Sequence, residues 1–248
     1  MVENNTTNVG RRKILETAAG AAIFGAISSG SAGAATAGTD QRIVVIGTES
    51  YHNHRSRSDA NDIMYTVSDW WEEAIADDGE YEATFSFMLA EIPEDALKSD
   101  YLSYRREQAA DWLDANLSSF DSRSSYCVLD WHEDGYVHGQ AGPAAAMTDS
   151  KDKTTITNVY QHVGDDFYSE VGPAATVFHE LLHDYSASHS DAAVDTSDTA
   201  SIMYSELYDD GHGEDDFCFW VGDKADKRSD WTTFCTETSV RSYIDDHA

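Results

Sequence analysis

The stretch from Val177 to His189, V-F-H-E-L-L-H-D-Y-S-A-S-H, constrains this chain more than any other. His179 and His183 are four residues apart, so on an α-helix they share a face and can offer two imidazoles to one metal ion. Glu180 stands about 100° round the helix from His179, within reach of a water on that ion without being a ligand itself. A catalytic zinc takes three protein ligands and keeps its fourth position for water. His189, six residues after His183, is the natural third ligand if the helix ends soon after His183 and the chain turns back. The same periodicity gathers Ala174, Val177, Phe178, Leu181 and Tyr185 into an apolar stripe opposite the histidines. It predicts a helix lying on a sheet, with the histidines facing a cleft. Pro173 fits the first helical position, and Gly172 before it can cap or turn.

His179-Glu180-x-x-His183-x-x-Ser186-x-x-His189 resembles the zinc signature of the metzincin metallopeptidases, H-E-x-x-H-x-x-G-x-x-H, which is followed by a methionine turn. Ser201-Ile202-Met203-Tyr204 is similar to that turn, with Met203 as an apolar floor beneath the metal. Ser190 after the third histidine and Tyr204 after the methionine look most like the matrix-metallopeptidase branch. Ser205 stands where some branches carry an extra tyrosine ligand, so none is transferred. The chain departs from the pattern at Ser186, which replaces a glycine whose left-handed conformation costs other residues on the order of 1 kcal/mol.

The resemblance implies an α+β fold: a metzincin-like catalytic domain with a twisted mixed sheet of about five strands, an antiparallel edge strand, an active-site helix, and a small irregular C-terminal subdomain with a closing helix. It divides the chain into residues 35–189, with the zinc helix, and 190–248, with the methionine turn. It also implies one catalytic Zn2+ on His179, His183 and His189, Glu180 as general base and acid, and a polypeptide substrate. In such domains an extended peptide adds itself to the edge strand above the zinc, a job that falls here to Gly139, Gln140, Ala141 and Gly142. The implied activity is zinc-dependent endopeptidase.

Read without the resemblance, the chain supports the same architecture. Ile43 to Gly47 is an apolar run that suits a buried first strand. A helix is expected from about Ser58, as N-cap, to Asp78, with Ile63, Val67, Trp70, Trp71, Ala74 and Ile75 at helical spacing. Tyr81 to Ala90 alternates like a strand, Tyr104 to Ser119 suits a second helix, and Ser125 to Trp131 a third strand. Val137 to Met147, rich in small residues and containing Pro143, suits a sheet edge. Thr154 to His162 supplies the next strand, and Thr238 to Asp246 a closing helix. His52 and His54 fall in a polar loop, where histidines are more often solvated than ligating. His132, His138 and His162 have no role fixed by sequence. Asp191, Asp195 and Asp198 match no calcium loop, so Ca2+ is possible but unsupported.

Acidic residues number 46 against 16 basic, a formal net charge of −30. With 41% apolar residues and six tryptophans, the chain still has the material for a packed core. The charge is expected to reflect adaptation to very high salt and disfavours nucleic acid and anionic membranes as partners. Arg11-Arg12-Lys13, an Ala/Gly-rich run to about Gly30, and Ala32-Gly33-Ala34 resemble a twin-arginine export signal over residues 1–34, implying secretion. The run is too short and interrupted to span a bilayer, and no membrane anchoring is expected. A monomer is expected. Cys218 and Cys235 could pair outside the cell or stay as buried thiols, and Cys127 suits a buried strand.

Two rivals stand beside the peptidase. In one, a downstream glutamate such as Glu206 is the third ligand. In the other, the protein is a secreted zinc-binding module without turnover, although such a module does not need Glu180.

Overall fold

The computed structural model describes residues 41–76, 80–118, 120, 124–133, 138–142, 151–163, 172–205, 217–220 and 225–247. The export-signal segment, Glu206, and the outer parts of the expected edge strand lie outside these residues.

Five strands form a mixed sheet: β1 (Gln41–Thr48), β2 (Ala83–Ile92), β3 (Ser124–Asp130), β4 (Gly139–Gln140) and β5 (Thr154–Asn158), in the order β2-β1-β3-β5-β4. β1 runs parallel to both β2 and β3, and β3 parallel to β5; only the terminal strand β4 is antiparallel. Alternation along the strands sorts the core into two layers. Ile43 and Val45 of β1 and Cys127 and Leu129 of β3 point to one face, whereas Val44, Ile46, Tyr126 and Val128 point to the other. Both faces are covered, which is why β1 and β3 read as continuous apolar runs instead of alternating with polar residues.

Helices α2 (Arg57–Ala74) and α4 (Gly172–His183) pack on the first face, together with the closing helix α5 (Phe234–His247). Helix α3 (Leu102–Asn116) covers the second. A short helix, α1 (Glu49–His54), replaces the expected polar loop after β1. Helix α2 begins earlier than expected. Its N-cap is Ser56, whose hydroxyl accepts from the Asp59 backbone while Asp59 accepts from Ser56 in return, a reciprocal capping box that Ser58 could not form.

After α4 the chain builds a second, four-stranded sheet from two-residue strands: β6 (Ala193–Val194), β7 (Thr199–Ala200), β8 (Phe219–Trp220) and β9 (Lys227–Arg228), in the order β8-β6-β7-β9. A disulfide between Cys218 and Cys235 ties the entry of β8 to the first turn of α5, and Cys127 is buried in β3. Among the described residues, no helix is long and apolar enough to cross a membrane.

Candidate metal centre

Helix α4 is buried on every side, not along one stripe: each residue from Ala174 to Leu182 is buried, His179 and Glu180 included. The histidine face meets the Ser201–Tyr204 turn and Arg228 of β9, while His183 and His189 stay partly exposed. The helix begins at Gly172, with φ +56°, so Pro173 is its second residue.

The exit from α4 decides where the third histidine goes. Ser186 adopts φ +66°, the left-handed conformation that the metzincin-like pattern assigns to glycine. The Ser186 N–H donates to the His183 carbonyl (3.1 Å), and the Ala187 N–H reaches back to the Leu182 carbonyl (3.1 Å). This pair of bonds is a Schellman turn with serine at its left-handed position. The turn delivers the Ala187 carbonyl to the ring of His183, whose Nδ1 lies 2.7 Å from it. It also sends the chain back to a 3-10 turn, His189–Asp191.

As a result the Nε2 atoms of His179, His183 and His189 form a triangle with all three sides 3.1 Å. These are not hydrogen bonds in any consistent sense. His183 Nδ1 faces the Ala187 carbonyl, so that ring carries its proton on Nδ1 and a bare lone pair on Nε2; His179 Nδ1 faces the Ile202 carbonyl at 2.8 Å, which favours the same tautomer. Lone pairs aimed at one point repel unless a cation sits among them. Nitrogens bound at about 2.0–2.1 Å around a tetrahedral zinc are roughly 3.3–3.4 Å apart, a few tenths of an ångström from the triangle seen here. The carbonyl partners are the outer interactions that fix the tautomer of a metal-ligating histidine. The three histidines therefore form a group able to hold a metal ion.

Electrostatics agree with neutral ligands. Burial lowers the pKa of all three histidines; that of His189 falls to about 4, with help from His183 and Arg228. Burial pushes the Glu180 carboxyl up to about 8, partly countered by Arg228 and by a hydrogen bond from the Ala141 backbone N–H. Glu180 is thus held by β4 and its extension. Gly139 lies so close that a Cβ there would come within 2.6 Å of Glu180 Oε1 and of Thr176 Cγ2. Gln140 pairs with Ile156 of β5, and a Cβ on Gly142 would strike the Asp152 carbonyl. Among the described residues the edge strand covers Gly139–Gln140; of the expected Val137 to Met147, residues 137 and 143–147 lie outside the described set.

Met203 is fully buried in a tight turn in which the Tyr204 N–H donates to the Ser201 carbonyl (3.1 Å). That turn also supplies the Ile202 carbonyl that holds His179.

The other histidines are placed elsewhere. The ring of His52 lies against Gly47 and Phe87, and His54 stacks on Trp131 with centroids 4.7 Å apart. His132 Nε2 lies 3.2 Å from the Asp100 carbonyl, and His138 packs on His162 at 4.9 Å. None joins the three-histidine group. Asp191 caps the turn that carries His189, and Asp195 accepts from the Ser197 and Thr199 backbone, both being turn carboxylates. The residue that sequence reasoning missed is Arg228, 2% exposed, whose Nη2 donates to the Ile202 carbonyl at 2.6 Å. The one signal it gave was a rare cation in a very acidic chain.

No protein-family model and no curated protein matches the sequence. By fold, the chain is similar to a chain in the structure of a chaperone-substrate complex, with a TM-score of 0.50 and 8% sequence identity. The match covers 85% of this chain but 35% of that one, so this chain spans about a third of the length of the protein it resembles.

Proposed function

We propose that the protein is a zinc-dependent endopeptidase of metzincin type, exported through a twin-arginine signal and adapted to molar salt. The observation that carries this reading is the triangle of Nε2 atoms at 3.1 Å, with the buried carboxyl of Glu180 on the same helix. His179, His183 and His189 would hold the ion. When bound, zinc supplies Lewis acidity that polarises a scissile carbonyl and acidifies a water.

The chain's own residues do the rest. Glu180 takes a proton from the attacking water at a carboxylate oxygen and passes it to the departing amine nitrogen. The Ala141 N–H fixes one side of that carboxylate, and the close approach of Gly139 keeps the strand against it. The terminal strand β4 and its extension through Gly142 offer backbone to an extended polypeptide, which would bind as an added strand. Met203 closes the floor through the turn that holds His179.

The deciding experiment is zinc stoichiometry and chelator-sensitive casein hydrolysis, in molar salt, for the wild type and Glu180→Ala. The variant should keep one zinc and lose about 10²–10⁴-fold in rate. Zinc retention with full activity would reject the role of Glu180. Zinc binding by a wild type that hydrolyses nothing would turn the reading towards a binding module.

A further inference from the structure

Arg228 lies at the end of β9, which pairs in parallel with β7 so that Arg228 sits beside Ala200. The Ser229 N–H donates to the Ala200 carbonyl at 3.0 Å and locks that register. One residue beyond Ala200 the Ser201–Tyr204 turn begins, and the Arg228 side chain folds underneath it. Its Nη2 donates to the Ile202 carbonyl at 2.6 Å and also to the Tyr204 carbonyl. Ile202, Met203 and Tyr204 are all buried, so both carbonyls need protein donors.

The Ile202 carbonyl has a second donor, His179 Nδ1 at 2.8 Å, and Nη2 approaches that same nitrogen to 2.7 Å. With the His179 proton on Nδ1, as a metal-binding Nε2 requires, the two lone pairs of that carbonyl serve the guanidinium and the imidazole. The donor on one side thus fixes the acceptor for the other. If the carbonyl swings away, His179 loses the bond that keeps its proton on Nδ1 and its lone pair on Nε2.

We infer that Arg228 is a positioning residue for the metal centre: it clamps the Ile202 and Tyr204 carbonyls into one rigid turn and, through the shared Ile202 oxygen, orients the His179 ring. The inference rests on the metal-site reading above. Both bonds leave Nη2, whose two hydrogens are fixed in the guanidinium plane, whereas a lysine ammonium is a freely rotating donor on a shorter reach.

The test compares the wild-type chain with Arg228→Met and Arg228→Lys in molar salt. Zinc affinity is measured by competition with a chromophoric chelator, the visible absorption of the cobalt(II)-loaded protein is recorded per bound ion, and metal-free thermal midpoints are taken. Arg228→Met should bind zinc about 10–100-fold more weakly and shift the cobalt bands, as loss of an outer partner of a ligating histidine does. Arg228→Lys should recover part of the affinity with the bands still displaced. If the metal-free methionine variant does not fold, the lysine variant carries the test by the same two readings. Unchanged affinity and bands in the variant read, or full recovery of both by lysine, would overturn the inference while leaving the metal site standing. A wild type that binds neither zinc nor cobalt would overturn both.

Discussion

Two of the buried polar clusters among the described residues are satisfied in opposite ways. One lies at the carboxyl ends of β1 and β3, where the sheet order changes direction and where open α/β sheets usually leave a ligand crevice. There Arg105 grips both oxygens of Asp130 (2.7 and 3.1 Å), donates to the Leu97 carbonyl at 2.8 Å, and meets Glu94 at 3.1 Å; Thr48 adds a second donor to Asp130 Oδ1. Every charge has its counterpart within the chain. The other cluster is the histidine triangle, where the outer nitrogens of His179 and His183 are satisfied by carbonyls and the inner ones converge with that of His189. A closed network is architecture, whereas lone pairs left pointing at one another are an invitation to a cation. The group able to hold a metal ion thus sits on α4 and not in the Arg105–Asp130 network.

Substitutions can pull the two clusters apart. The largest effect is expected for His189→Ala: zinc affinity should fall by more than the roughly 10–100-fold that loss of an outer partner costs, with metal-free stability within about 1 kcal/mol of wild type. Chelator competition alongside salt-buffered unfolding measures both; a variant that keeps wild-type affinity breaks the comparison at its centre. Arg105→Met should do the reverse. It strands Asp130 with no counter-ion and should cost about 3–5 kcal/mol in denaturant unfolding, leaving the zinc affinity of the folded fraction unchanged. A mild loss there would mean that Thr48 suffices for Asp130.

Next in size is the disulfide. Replacing Cys218 and Cys235 with alanine should lower stability by about 2–4 kcal/mol, because the bridge closes a loop of 17 residues in the chain. The turn of the third histidine should loosen with it, since the Cys218 N–H and the Thr233 hydroxyl hold the Ala192 and Asp191 carbonyls just beyond His189. Smallest is Ser186→Gly. It relieves a positive φ at an exposed site and should stabilise the protein by about 0.5–1 kcal/mol with zinc binding intact; a loss of stability would mean the serine side chain contributes more than its strain costs.

Much of this was legible in sequence wherever one local rule decides. The histidine spacing foretold the triangle, the apolar runs at Ile43 and Cys127 foretold buried strands, and the spacing of Cys218 and Cys235 allowed their bridge. The substitution at Ser186 left the geometry of the turn open, and the backbone kept it regardless of the side chain. What stayed hidden depends on residues meeting from afar. Arg228 is 49 residues from His179, and no pattern joins them before β9 pairs with β7. The stripe expected along α4 does lie in the core, but the remaining residues from Ala174 to Leu182 are buried too, through contacts that no local period announces. The start of α2 differs because the reciprocal Ser56–Asp59 bonds, which the apolar repeat does not register, set the N-cap two residues before Ser58.

The contact between Gly139 and Glu180 has a mechanical consequence. With room for only a hydrogen at residue 139, the sheet rim and the acidic side chain of α4 cannot shift independently. A force that tugs on that rim is felt at the Glu180 carboxyl within one atomic layer.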